Sequence, residues 1–272
     1  MANDSNQFSY FKVHSEYSIC EGAIKIDDLA KTCKEYKIKS VGLCDSFNLC
    51  GALEFAEKLS KSGSHPIIGT QINFKFGNDI GKIPLFATTE KGYKNLIKLS
   101  SKSYLENDDI SEPHCTFSDL KNLHEDLIIL TGGHFDFFGK LFKLNKVKHV
   151  SEILLDLKKV FKERIYIELQ RHKEPGEKAF ENFLIDLSST IQLPLIASQE
   201  VYYLKKDMFE AHDALICIGE KAFVDDKKRK RYSNEHYFKD SDNLKKLFDD
   251  LPEALQNNYN FPLRFNFKPK KS

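Results

Sequence analysis

The sequence predicts a single α/β domain whose mainly parallel strands curl into a closed or nearly closed barrel. Short apolar runs alternate with amphipathic helical stretches along the chain, which is the pattern of a parallel sheet. Hairpin signals are few, and no low-complexity linker divides the 272 residues. About seven strand–helix units in one undivided chain fit a barrel better than two small domains.

Residues 8–14 (FSYFKVH) are short, apolar and aromatic, and read as the first strand. Ile26, Leu29, Ala30 and Cys33 share one helical face. Residues 40–44 (SVGLC) are a buried strand, followed by a helix over 51–61. Residues 65–76 and 83–87 are further strands, the first ending near a Gly77-Asn78-Asp79 turn, and helical sequence then runs from 90 to 103. Residues 127–130 (LIIL) form a strand that stops at Thr131-Gly132-Gly133-His134, and residues 164–169 (RIYIEL) form another. The next helix starts near Pro175, with Phe180, Phe183, Leu184, Leu187 and Ile191 on its core face. Residues 194–197 open a last strand, and the helix after Lys206 carries Phe209, His212, Asp213, Leu215 and Ile216. From Asn260 onward the periodicity fades into a lysine-rich end. The expected division is a domain over 1–260 and the start of a connection over 261–272.

Lys and Arg (41) nearly balance Asp and Glu (40), so no global field draws the chain onto nucleic acid or an anionic membrane. No stretch approaches the ~20 apolar residues of a membrane span, and residues 1–7 lack the apolar core of a signal peptide. Cys20, Cys33, Cys44, Cys50, Cys115 and Cys217 are scattered without a CxxC pair. Four lie in apolar-rich segments and read as buried free thiols of a reducing cytoplasm. The expectation is a soluble cytoplasmic protein.

In a parallel barrel, chemistry sits where strands finish and loops begin. Those positions hold His14 with Glu16, Asp45 with Ser46, Gln71, His134, Gln170 with His172, and Glu200 with Tyr202. Histidines and carboxylates so placed can build metal sites. Each also has a plainer reading: His14 and His134 as hydrogen-bonded loop residues, Asp45 as a cap of the next helix, His172 as a solvated side chain. A separate run, Lys227-Lys228-Arg229-Lys230-Arg231, follows two acids in an apparent loop. It is either a solvated surface or a sequence-independent contact to a DNA backbone.

Several motifs, taken in order, go further. They are KVHSEYS at 12–18 with EGA at 21–23, LCDSFNLCGALEF at 43–55, PIIGTQ at 66–71, YIELQRH at 166–172, LIASQEVYY at 195–203, AHDALICI at 211–218 and YFK at 237–239. Over nearly the whole chain this series resembles the PHP (polymerase and histidinol phosphatase) domain, in the form carried by bacterial replicative polymerase alpha subunits and nearest to the alphaproteobacterial one. The resemblance implies a distorted barrel of about seven βα units. It also implies a metal cluster at the strand ends that hydrolyses phosphoesters in active members.

Measured against that pattern, the ligand set is depleted. Lys12 takes the first place of a His-x-His pair, leaving His14. Ser46 replaces a His after Asp45, Gln71 replaces a Glu, and Glu200 and Tyr202 stand where Asp and His are expected; Glu21 remains acidic. Adjacent divalent ions need several anionic oxygens and neutral imidazoles. An ammonium at Lys12, an amide at Gln71 and a phenol at Tyr202 supply neither. Lys12 is expected to pair with Glu21 or Glu200 and so replace metal cross-linking by hydrogen bonds.

The resemblance therefore implies a catalytically inactive segment without a cofactor of its own, the Mg²⁺ of the parent polymerase lying in its absent palm domain. Its implied partners are the rest of the alpha subunit and the separate proofreading exonuclease subunit, with DNA bound by the full protein. The alternative is a metal-dependent phosphoesterase or 3′-end exonuclease, with His14, Glu21, His134, His172 and Glu200 as a reduced site for Zn²⁺ or Mn²⁺.

Overall fold

The computed structural model describes residues 6–106 and 112–271; residues 1–5 of the polar N-terminus lie outside them. Strand β1 (Tyr10–Val13) leads through helix α1 (Ile26–Glu35) to β2 (Ser40–Ser46), and α2 (Ala52–Ser62) leads to β3 (His65–Phe76). A hairpin joins β3 to β4 (Asp79–Ala87), followed by α3 (Glu90–Leu105), β5 (Cys115–Thr116), α4 (Phe117–Leu123) and β6 (Leu127–Leu130). Helices α5 (Phe137–Lys143) and α6 (Val147–Phe161) precede β7 (Ile165–Leu169), and α7 (Glu177–Ile191) precedes β8 (Leu195–Ala197) and β9 (Glu200–Val201). Three helices end the chain: α8 (Phe209–Glu220), α9 (Ser241–Leu247) and α10 (Pro252–Asn260).

Among the described residues the strands form one nine-stranded sheet in the order β8-β7-β6-β4-β3-β2-β1-β9, with β5 attached to β3. Its two end strands, β8 and β9, are successive pieces of one segment, 195–201. The sheet therefore curls until its edges meet in a single stretch of backbone, and the barrel closes. Most pairings are parallel, as the strand–helix alternation implies. Strand β4 is the exception, antiparallel to both β3 and β6. The reason is local: Phe76 pairs with Asp79 across a two-residue turn in which Gly77 takes a φ of +61°, and a turn this tight returns the chain on itself. The two strands absent from the sequence reading, β5 and β9, have two residues each and are too short to show a period.

Side chains alternate across the wall along β3, β4, β6 and β8. Ile67, Phe86, Ile128, Leu130 and Ile196 point into an inner cluster, while Ile68, Leu85, Ala87, Ile129, Leu195 and Ala197 join the outer core beneath the helices. Both faces are buried, which is why these strands read as unbroken apolar runs. Strand β1 breaks the alternation. Tyr10 pairs with Val41 and Val13 with Leu43, so two residues on β1, Phe11 and Lys12, oppose one on β2, Gly42. This bulge keeps Tyr10 and Val13 in the outer core while Phe11 joins the inner cluster.

The periodicity fades at Asn260, but the packing does not. Phe261 and Phe265 are buried in the inner cluster, Phe261 lying 4.5 Å (ring centroids) from Phe11. The seam is stitched from α10: buried Asn258 accepts from Ser9 N (2.8 Å) and donates to Ser9 O (3.0 Å) and Ala197 O (2.9 Å). All six cysteines are free, and Cys33, Cys44, Cys115 and Cys217 are buried. No helix among the described residues is long and apolar enough to cross a membrane.

Candidate functional site

The inner cluster fills one end of the barrel, and polar side chains take over where β1, β2, β7 and β9 finish and, at Gln71, midway along β3. The centre is Lys12, fully buried in β1. Its Nζ lies 3.1 Å from Glu200 Oε1, 3.2 Å from Asp136 Oδ2 and 3.7 Å from Glu168 Oε1. Lys12 and Glu200 are register partners in the parallel pairing of β1 with β9. Burial would lower the ammonium's pKa, yet the three carboxylates raise it well above its ordinary value. Burial likewise opposes ionisation of Glu200, but Lys12 and His14 hold its carboxyl well below the usual carboxylate range. At Glu168 desolvation wins, and the carboxyl is raised.

His14 and Gln71 complete this layer. His14 Nε2 lies 3.0 Å from Glu200 Oε1, and Gln71 Nε2 donates to the same oxygen at 2.6 Å. The Tyr202 ring stacks on His14 at 4.5 Å, and burial first, then Glu200, raises its phenol well above its ordinary value. Tyr202 is thus held as a neutral phenol. Glu21 belongs to a second ion pair, with Lys82 of β4, and accepts from Ser46 Oγ at 2.6 Å. Burial would raise the Glu21 carboxyl, but Lys82 and His14 bring it down to about 2. Asp45 does not cap α2. It accepts from Ser15 N (2.6 Å) and Ser15 Oγ (2.7 Å), pinning the loop after β1 to the end of β2, and burial pushes its carboxyl up to about 6.

Of the remaining strand-end residues, Gln170 reaches the Lys12 centre by donating to Glu168 Oε1 at 2.7 Å. His134 packs on the Phe180 ring and close to Gly176, at the start of α7, and burial lowers its imidazole. His172 is buried at 1% exposure rather than solvated. Its backbone N–H donates to both Glu177 oxygens (2.9 and 2.8 Å), its Nε2 accepts from Glu200 N at 3.3 Å, and its ring stacks on His236 at 3.9 Å. The fold of segment 233–237 over the loop after β7 buries it, and the sequence around His172 carries no sign of that cover.

The basic run divides. Arg229 makes a bidentate pair with Asp213 at 2.7 and 2.6 Å, and half-buried Lys230 lies over the Tyr232 ring at 4.8 Å, while Lys227, Lys228 and Arg231 are exposed. Asp136, Glu168, Lys82, Tyr232 and His236 were not among the expected site residues. Glu168 had a readable signal, since a carboxylate inside the apolar run IYIEL needs a buried partner. Asp136 enters because its carboxylate folds back onto Gly133 N at 2.7 Å, in the turn where Gly132 has a φ of +80°.

These residues do not fit a metal cluster. Lys12 Nζ occupies the point on which Asp136, Glu168 and Glu200 converge, and Lys82 takes up Glu21. Among the described residues no group of three or more His, Cys, Asp or Glu is arranged to hold a metal ion. Above the network a cleft of about 650 Å³ stays open, lined by Phe47, Phe135, Tyr202, Tyr232, Lys82 and Lys230 among others.

A curled, mostly parallel α/β barrel with charged groups gathered at its strand ends defines the class: a barrel built around an enzyme-like site, here closed by lysines. Comparison with known proteins gives the family. The family model described as PHP domain matches residues 11–172, and this chain belongs to that family. It is 38% identical to DNA polymerase III subunit alpha of Caulobacter vibrioides over 97% of its length and 24% of that protein. It is 35% identical to the same subunit of Rickettsia bellii over 96% of its length and 22% of that protein. The chain thus spans about a quarter of the curated relatives it matches. Among solved structures, a putative metal-dependent phosphoesterase from Bifidobacterium adolescentis matches 71% of this chain and 87% of its own, with a TM-score of 0.49 and 9% identity.

Proposed function

We propose that this chain serves as the PHP module of a replicative DNA polymerase III alpha subunit, with the hydrolytic metal site of the family converted into a structural ion network. One observation carries the reading: the Lys12 ammonium stands within 3.1–3.7 Å of three carboxylates from different elements. A cation fixed by a side chain can draw acids together and cross-link strands, but it cannot polarise a phosphoester or activate water as an exchangeable divalent ion does. The module then acts as a rigid support for the polymerase body and a docking surface for the proofreading exonuclease subunit, in the bacterial cytoplasm. Mg²⁺ chemistry belongs to the palm of the parent chain. Lys227 and Lys228 of the basic run are left free to touch a DNA backbone in the full protein, whereas Arg231 lies 3.6 Å from Asp213.

The test is metal content by elemental mass spectrometry after growth and dialysis with Zn²⁺, Mn²⁺ and Fe²⁺, with hydrolysis of p-nitrophenyl phosphate followed in parallel. Far less than one ion per chain and no hydrolysis is the expected result. Stoichiometric binding of a metal pair with turnover would replace this reading by that of a phosphoesterase. Recovery of the purified exonuclease subunit on the immobilised chain tests the docking role separately.

A further inference from the structure

Beside the cleft, three separate segments present large apolar side chains to solvent. The loop after β1 contributes Ile19 (81% exposed), the end of α3 contributes Tyr104 and Leu105, and the end of α8 contributes Ile218 (71%) with Phe223 (79%) and Val224 just beyond. They adjoin one another. A Cβ built on Gly219 would meet Cys20 Cβ at 2.7 Å, so the β1 loop lies directly on α8, and Ile19, Tyr104 and Gly219 line one cavity of about 260 Å³. Large apolar side chains exposed together on segments that meet in this way mark an interaction site.

The segment that presents Phe223 and Val224 is braced. Helix α8 closes with Ala222 N donating to Cys217 O (3.0 Å), and Asp226 Oδ2 accepts from Phe223 N (2.8 Å). Arg229 then reaches back, donating through Nε to Val224 O (3.0 Å) while its Nη atoms grip Asp213. A bidentate pair with little solvent exposure thus holds two apolar side chains outward in a fixed geometry. Such preorganisation lowers the ordering cost of binding.

The flanking charge points to the occupant. Lys221, Lys227 and Lys228 outnumber Glu220 and Asp225; Asp226 is engaged on the Phe223 amide, and Arg231 lies 3.6 Å from Asp213. Lys227 and Lys228 are exposed and form no ion pair among the described residues. Only Tyr104 and Phe223 offer a ring face to a nucleotide base; Ile19, Leu105, Ile218 and Val224 are aliphatic, which favours protein over single-stranded DNA.

We propose that this rim docks a protein segment carrying apolar anchors and carboxylates, and so is the face by which the domain holds another subunit. The inference rests on the docking role proposed above and names its location and chemistry.

Two probes separate the inference from that role: the purified proofreading exonuclease subunit, and a synthetic helical peptide with leucines at i, i+3, i+4 and i+7 and glutamates between. Each is titrated against this chain, against Phe223→Ser/Val224→Ser and against Leu155→Ser on α6, with far-UV circular dichroism confirming the fold. The expected result is about tenfold weaker binding of both probes to the Phe223/Val224 variant, unchanged binding to the α6 variant, and weakening by salt. If the exonuclease binds wild type and variant equally and the peptide does not bind, this rim is not the docking face, though the docking role survives. If only the peptide binds, and Phe223/Val224 replacement abolishes it, the rim stands and the exonuclease is not its partner. If neither probe binds, or a single-stranded oligonucleotide binds through the rim instead, the inference is overturned.

Discussion

Lys12 and Glu200 are register partners across the pairing of β1 with β9, and their charges meet at 3.1 Å where the barrel closes. The strand at the closing edge is thus held to its neighbour by an ion pair as well as by backbone hydrogen bonds. The other acids on Lys12 come from β7 and from the turn before α5, so one buried ammonium ties together segments from three parts of the wall.

Lys12→Met tests that role. It keeps the volume of the side chain but leaves Asp136, Glu168 and Glu200 without the ammonium on which they converge. Breaking one partner of a buried pair costs about 3–5 kcal/mol, to be read from urea unfolding of this chain. A variant as stable as wild type would show that the network does not hold the barrel.

Acidification should unfold the domain in stages. His172 is buried neutral, with desolvation first and then His236 holding its imidazole well below its ordinary value. A depressed histidine favours the folded state above its unfolded pKa of about 6.5, and that stability fades as pH falls below this value. Glu21, at about 2 in the fold, contributes stability above its unfolded value, lost as pH falls from about 4.5 toward 2. Thermal melts from pH 8 to pH 3 check this, with His172→Gln expected to flatten the upper step. A melting temperature that is level between pH 7 and pH 5 in wild type would contradict the His172 part.

Asn258→Ala should loosen the seam. Three buried hydrogen bonds to Ser9 and Ala197 are lost, leaving backbone groups of the strand ends unpaired. The cost is about 1–3 kcal/mol for each group left without a partner and without water. Hydrogen exchange should rise first at residues 9–13 and 195–201; protection unchanged there would place the closure elsewhere.

Phe261→Ala should cost about 3–5 kcal/mol, as for a large aromatic removed from a packed core. The ring touches Phe11, Phe86 and Phe265 inside the barrel. A loss below ~1 kcal/mol in denaturant unfolding would mean that residues from 261 onward are a passive extension.

Much of the architecture is legible in the chain itself. The runs SVGLC, LIIL and RIYIEL announce buried strands because both faces of a barrel wall are apolar, and the spacing in α1, α2 and α7 announces helices because one face alone is. Helix α6 shows the same spacing at Val150, Ile153, Leu154, Leu157 and Phe161, although it is not among the expected helices. The short β9 and the polar cover over His172 leave no such trace, since they depend on what lies opposite.

What the sequence determined alone is that charges stand inside apolar strands, Lys12 in YFKV and Glu168 in IYIEL, and that such charges require partners when buried. It also determined that the ligand types for a metal cluster are depleted. Which carboxylate meets which ammonium was decided only by the tertiary structure. Glu21 is nine residues from Lys12 along the chain yet pairs with Lys82, while Asp136, 124 residues away, closes on Lys12. Barrel closure and the turn at Gly132 set those distances, and Coulomb attraction between buried groups falls to nothing useful unless the fold brings them within a few ångströms.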